Sequence, residues 1–139
     1  MKSYPATPEE LRRTGFTVPV TVRQLREADQ AGFTSPEGVS LLATVDTGAG
    51  VSMIRVERAE ECGLVQRGTT SLGTFQGKTP VPTYPAIVRV QDEWEDELVI
   101  AGGSFEDEPG LEFLIGRDIL QHAALSWDGR TGMAHLGFS

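Results

Sequence analysis

The stretch Leu41 to Ile54, LLATVDTGAGVSMI, constrains this chain more than any other. It opens with Leu41, Leu42, Ala43, Thr44 and Val45, an apolar and β-favouring run that reads as a buried strand. Asp46 follows at once, set between Val45 and Thr47-Gly48-Ala49-Gly50-Val51, surroundings that ought to repel a carboxylate. Burying one is costly unless a neighbour pairs with it or keeps it protonated. Gly48 and Gly50 permit a tight turn that larger residues could not follow, and Thr47 brings a hydroxyl able to hydrogen-bond across a close contact. An aspartate on such a loop, at the end of an apolar strand, is placed for chemistry.

Size and composition narrow the classes available. The 139 residues suggest one domain, long enough to bury a core of its own. No apolar run approaches the roughly 18 residues of a membrane span, and the start MKSYPATPEELRRTG lacks the apolar centre of a secretory signal. Cys62 is the one cysteine, so no internal disulfide is possible. Together these features predict a cytoplasmic protein with no membrane partner. A net charge of -8 argues against nucleic acid, whose phosphates demand basic surface. Sixteen glycines and eight prolines predict short strands joined by turns.

Along the chain, residues 1–15 read as an N-terminal extension and 16–139 as the domain. Thr7 can cap a short helix starting at Pro8, with Glu9 and Glu10 in its first turn; the alternative is a frayed tail. Phe16 to Arg23 alternates apolar with polar residues and reads as a strand, with Pro19 placing it at an edge or bulge. Gln24 to Gly38 is polar and ends in a turn signal, giving a hairpin with a long tip that a helix could occupy. Ser52 to Cys62 has helical spacing, with Ile54, Val56, Ala59, Cys62 and Leu64 facing inward and Gly63 as the stop. Cys62 then reads as a packed apolar residue and not a reactive thiol. Gly68 to Tyr84, rich in Gly, Thr and Pro, reads as a hairpin turning near Phe75-Gln76-Gly77-Lys78. Tyr84 to Gln91 and Glu97 to Ala101 are strands separated by the acidic turn Asp92 to Asp96, and Leu111 to Ile115 is another. Asp118 is expected to cap a helix over Asp118 to Leu125, and the chain closes on a hairpin turning at Asp128 to Gly132. Neither the acidic turns nor His122 and His135 have metal-ligand spacing, so no metal and no other cofactor is expected.

Asp46-Thr47-Gly48-Ala49 together with Leu114-Ile115-Gly116-Arg117-Asp118-Ile119-Leu120 resemble the two paired motifs of the retropepsin-like aspartic proteases. The resemblance spans about Phe16 to Phe138. It implies a mainly β fold, a retropepsin-like closed β-barrel with one or two short helices, and an aspartic endopeptidase that is a homodimer. Each copy of such an enzyme gives one aspartate, and the two carboxylates share a proton and activate water on a peptide bond. This chain has a single DTG, so Asp46 would meet its own mate across a two-fold axis. By the same resemblance, Asp46, Thr47 and Gly48 are the catalytic loop, with Thr47 bracing the two copies. The segment around Thr74, Phe75, Gln76 and Gly77 is the flap that closes over bound polypeptide. The Gly48 and Ala49 backbone and the flap tip would hold an extended substrate by strand-like hydrogen bonds, with Val51, Phe75 and Ile115 as apolar walls that select its flanking side chains.

One position departs from the pattern. Viral members often carry an acid directly after DTGA that pairs with the arginine of the second motif; here it is Gly50. Arg117 is left to pair with Asp118, with another acid, or with the other subunit, which places the chain nearer cellular and bacterial relatives. Two other functions stand beside the peptidase. One is a catalytically silent dimer of the same fold that binds peptide as a scaffold module. The other is an unrelated small β-barrel in which Asp46 is only a turn residue.

Overall fold

The chain's β-branched segments pair into a closed barrel in the computed structural model, which describes residues 2–5, 7–25, 38–74 and 77–138. In chain order the elements are β1 (Lys2–Pro5), α1 (Pro8–Thr14), β2 (Thr17–Gln24), β3 (Val39–Val45), β4 (Met53–Arg55), α2 (Val56–Glu61), β5 (Gly68–Thr74), β6 (Gly77–Val90), β7 (Trp94–Gly103), β8 (Phe113–Ile115), α3 (Arg117–Leu120), β9 (Ala123–Asp128) and β10 (Met133–Phe138). Six strands follow one another as β2-β3-β8-β4-β7-β6, and β2 pairing with β6 closes the ring. β5 is attached outside the ring, paired only to the first half of β6. A separate antiparallel sheet, β1-β10-β9, joins the two ends of the chain.

Two of the barrel contacts are parallel, β3 with β8 and β4 with β7, while β4 and β8 run antiparallel. The register of the first of these pairs is Val45↔Ile115. Parallel strands in register send their chains out at the same end, so the loops after Val45 and Ile115 emerge side by side. The core behind them is apolar: Val18 and Val22 of β2, Ile54, Val88, Ile100, Phe113, Ile115 and Ile119 are wholly buried. Alternation along β2 buries Val18, Val20 and Val22 and turns Pro19 outward. Pro19 lacks an N–H, and it stands one residue past the last β2–β6 pair, Val20↔Val90, where its carbonyl still accepts from Gln91 N at 3.3 Å and only the reciprocal donor is missing.

Helix α1 carries the predicted cap. Glu10 N donates to Thr7 Oγ1 at 3.0 Å and Thr7 N to Glu10 Oε2 at 3.2 Å, with Pro8 in the first turn. The hairpin predicted over Gly68 to Tyr84 is β5 with β6, and its two-residue connection, Phe75-Gln76, lies outside the described residues. Most of the tip predicted for Gln24 to Gly38 lies outside them as well.

Three segments differ from the sequence expectation. Ser52 to Cys62 is not one helix: β4 occupies Met53–Arg55 and only Val56–Glu61 is helical. The barrel needs a strand between β7 and β8, and that tertiary pairing overrides local helical spacing. The acidic turn is shorter than predicted, because Gln91 and Asp92 adopt positive φ (56° and 60°) and close a tight hairpin. Trp94, Glu95 and Asp96 therefore already belong to β7. Finally, α3 ends at Leu120 with Gly116, not Asp118, at its N-cap, and β9 begins at Ala123.

Cys62 is half-buried against the core at the end of α2. Desolvation pushes its thiol up from about 9 to about 11, outweighing the Arg58 charge that lowers it, while Glu61 adds to the rise. Iodoacetamide at pH 8 should therefore label Cys62 in the folded protein on the order of 100-fold more slowly than in urea, from thiolate fraction alone. Equal rates by mass spectrometry would contradict this placement.

Candidate active site

The loop that leaves β3 and the turn that leaves β8 are stitched together by backbone hydrogen bonds. Asp46 N donates to Ile115 O at 2.9 Å, and Arg117 N donates to Ala49 O at 2.8 Å. Gly116 sits between them with no room for a side chain. A Cβ there would lie 2.8 Å from the Val51 carbonyl carbon and 2.9 Å from the Ala49 and Val51 oxygens. The glycine of the second motif is thus what lets the two loops pass this closely.

Ser52 and Asp118 hold the crossing from below. Ser52 is wholly buried. Its hydroxyl donates to Asp118 Oδ1 at 2.6 Å and accepts from Gly116 N at 2.9 Å, while its own N–H donates to Asp118 Oδ2 at 2.9 Å. Asp118 Oδ1 also accepts from Ile119 N at 2.9 Å. Every buried polar group in this knot has a partner, which is the condition for keeping such groups out of water. Sequence reasoning offered Asp118 as a helix cap or a partner for Arg117 and gave Ser52 no role. The pairing joins residues far apart in the chain, and nothing local signals it.

Within the chain, Arg117 takes neither Asp118 nor another acid as an ion-pair partner among the described residues. Its guanidinium Nη1 donates to the Thr47 carbonyl at 2.8 Å, so a backbone oxygen takes the place of an acid. A Cβ on Gly50 would lie 3.5 Å from Nη2. The arginine thus braces the aspartate loop directly.

Asp46 itself is partly exposed. Its Oδ1 accepts from Gly48 N at 2.9 Å, and its carbonyl from Ala49 N at 3.2 Å. A side chain at Gly48 would come within 3.2 Å of that Oδ1. Among the described residues Oδ2 has no donor, and neither does the exposed Thr47 hydroxyl make a hydrogen bond. Asp46 forms part of the wall of an open cleft of about 850 Å³, together with Thr44, Thr79 of β6, Phe105, Leu111 and Leu114.

The remaining predicted site residues fall around this cleft unevenly. Ile115 is wholly buried, so its side chain packs in the core and it meets the loop through its carbonyl. Val51 is 40% exposed, beyond the residues that line the cleft. Both backbone polar groups of Ala49 are engaged within the chain. Gly77 opens β6 at φ 111°, opposite Thr74 across the hairpin; Phe75 and Gln76 lie outside the described residues. Sequence reasoning missed the contribution of residues 104–108, which form one cleft wall. Among the described residues, no three His, Cys, Asp or Glu side chains converge as a metal site would require, and no helix is long and apolar enough to cross a membrane.

Many solved structures share this architecture, among them two proteases. EIAV protease complexed with the inhibitor HBY-793 matches with a TM-score of 0.54 and 17% identity, over 76% of this chain and 85% of that one. The solution structure of simian foamy virus (mac) protease matches with a TM-score of 0.51 and 14% identity, over 76% of this chain and 92% of that one. No family model matches the chain, and no curated protein matches it. The chain therefore has a retropepsin-like fold, a mainly β closed barrel.

Two substitutions test the crossing. Ser52→Ala should cost about 1–3 kcal/mol in urea unfolding, because it strands Gly116 N and removes a donor from Asp118. Gly116→Ala should cost a comparable 1–3 kcal/mol or so, since the atoms it meets are backbone and cannot swing aside. Wild-type stability in either variant would show that the loops do not depend on this contact.

Proposed function

We propose that this protein is a homodimeric aspartic endopeptidase whose catalytic group is Asp46. The observation that carries the reading is the placement of Asp46: one carboxylate oxygen held by Gly48 N, the other without a donor among the described residues, in the wall of an open cleft. Around it are the two stitched loops of a retropepsin-like barrel. The neighbours in fold are named as proteases, one of them bound to an inhibitor.

The chemistry needs two carboxylates close enough to share a proton, and one chain supplies one. A second copy related by a two-fold axis brings its own Asp46 alongside. Like charges at that distance cannot both ionise, so one group stays protonated. The ionised partner takes a proton from water as it attacks the peptide carbonyl; the protonated partner donates to the carbonyl oxygen. Thr47, whose hydroxyl is uncommitted among the described residues of its own chain, braces the paired loops. The Arg117 bond to the Thr47 carbonyl holds that residue's backbone at the junction. No cofactor takes part.

The hairpin of β5 and β6 serves as the flap, with residues 74–77 at its end. Its outer part has little burial: residues 77–80 are exposed, whereas Ala86, Val88 and Val90 of the same strand β6 are wholly buried in the barrel. A segment with few buried contacts opens at low cost in free energy. The hairpin can thus close over extended polypeptide while its root stays in place.

Incubation with a mixed peptide library across pH 3 to 8 should yield cleavage by the parent protein, and Asp46→Asn should lower the rate by about 10²–10⁴-fold or more. Sedimentation at rising concentration should show a dimer. Cleavage surviving in Asp46→Asn would remove Asp46 from the mechanism; no cleavage by either protein would leave a peptide-binding module of the same fold.

A further inference from the structure

Arg55 stands at the end of β4, outside the cleft, yet its side chain is committed to residues that line it. Its Nε donates to Leu111 O at 2.7 Å and its Nη1 to Ser104 O at 2.9 Å. Its Nη2 donates to Glu108 O at 2.6 Å and to Phe105 O at 3.4 Å. All four acceptor residues line the cleft together with Asp46, and Arg55 does not. One planar fork thus sets the path of residues 104–111, which lie between β7 and β8 with no strand pairing to hold them. The backbone adds to this at the far end, where Arg55 N donates to Glu112 O at 2.9 Å. The Glu112 side chain ties that point to two further elements: Oε2 accepts from Leu42 N at 2.9 Å and Oε1 from Arg58 Nη2 at 3.1 Å.

The same guanidinium group fixes one side chain. It lies 5.5 Å from the centre of the Phe105 ring, within cation–π range. The ring also rests against Gly103, where a Cβ would come 3.0 Å from Cε1 and 3.2 Å from Cζ. Phe105 holds a φ of 49°, a conformation that a bulky residue keeps only when its surroundings enforce it. Among the described residues that line the cleft, Phe105 is the one aromatic side chain.

We propose that Arg55 is a positioning residue for substrate binding. It touches no substrate; it holds the segment from Ser104 to Leu111, and through it the Phe105 ring, as the wall against which a substrate side chain packs. The inference rests on the reading of the cleft as a peptide site. Lysine is no replacement, because a single ammonium group lacks the planar fork that reaches carbonyls on both limbs of the segment. A shift of about 1 Å in such a wall is enough to lose the contact.

The test reads binding by anisotropy on full-length Asp46→Asn protein, which leaves peptides uncut. Two fluorescein-labelled peptides of about eight residues are compared, one with a central Leu-Phe and one with a central Gly-Gly. The Leu-Phe peptide should bind on the order of tenfold more tightly. Arg55→Lys, Arg55→Ala and Phe105→Ala should each cut that ratio to about threefold or less. In the Phe105→Ala background, Arg55→Lys should change the affinity for the Leu-Phe peptide by less than about twofold, since residues acting through one contact are not additive. Partial unfolding would weaken both peptides alike and leave the ratio standing, and Arg55→Lys decides the matter if Arg55→Ala fails to fold. Equal binding of the two peptides by the Asp46→Asn protein, no binding of either, an unchanged ratio in Arg55→Lys, or a further loss in the Phe105→Ala background would overturn the proposal. Cleavage of the Leu-Phe peptide by the parent protein is scored separately. Cutting with a KM that Arg55→Lys leaves unchanged sinks the positioning role alone, while Arg55-dependent binding without cutting sinks the peptidase alone.

Discussion

The parallel pairing of β3 with β8 is the constraint on which the rest of this structure depends. Parallel neighbours cannot be joined by a tight hairpin, so the chain must travel through β4 to β7 before it returns. That detour makes the barrel, and the return in register at Val45↔Ile115 places Gly116 against the aspartate loop. The bond from Asp46 N to Ile115 O carries that pairing one residue beyond the strand ends, and the bond from Arg117 N to Ala49 O joins the two loops further out. Asp46 is thus positioned first by the ladder, with the Arg117 and Ser52 side chains bracing the loops around it.

Where the ladder stops, buried polar groups take over. Ser52 serves the Gly116 amide and the Asp118 carboxylate at once, and it does both through one hydroxyl. A knot of this kind stabilises little over an apolar equivalent of the same shape, but it tolerates no half-satisfied state. Its effect is to specify one crossing geometry. Arg117 continues the knot to the surface by holding the Thr47 carbonyl, so the absence of an acid at position 50 leaves the arginine employed. A neutral backbone acceptor gives a weaker bond than a carboxylate would, yet it ties the arginine to the loop that carries Asp46.

β6 divides the molecule into firm and yielding parts along a single strand. Its second half lies between β2 and β7 with Ala86, Val88 and Val90 buried, while its first half has only β5 beside it. Pro80, Pro82 and Pro85 fall in the stretch where one side of the strand needs no donor or the pairing is about to change. After β7, the Arg55 guanidinium group donates to the carbonyls of Ser104, Phe105, Glu108 and Leu111 and ties that cleft wall to the end of β4. One cleft is thereby bounded by a floor set in the barrel, a wall pinned by a guanidinium group, and a hairpin with few buried contacts.

The sequence alone carried the aspartate loop, the alternation of β2, the Thr7 cap and the two hairpins. These are written in neighbouring residues, where turn chemistry, capping and side-chain period act locally. The two motifs could be paired by resemblance, but the passage of the DTG loop against Gly116 came only from the fold. The sequence did not disclose β4, the Ser52 to Asp118 bond, the Arg55 clamp or the cleft wall at residues 104–108. Each of these joins segments about fifty or more positions apart, and Met53–Arg55 even favours a helix by its spacing. Local preference is worth tenths of a kcal/mol per residue, about the scale at which pairing inside a barrel overrules it. What is set by adjacent residues could be read from the chain; what is set by the barrel's closure required the folded molecule.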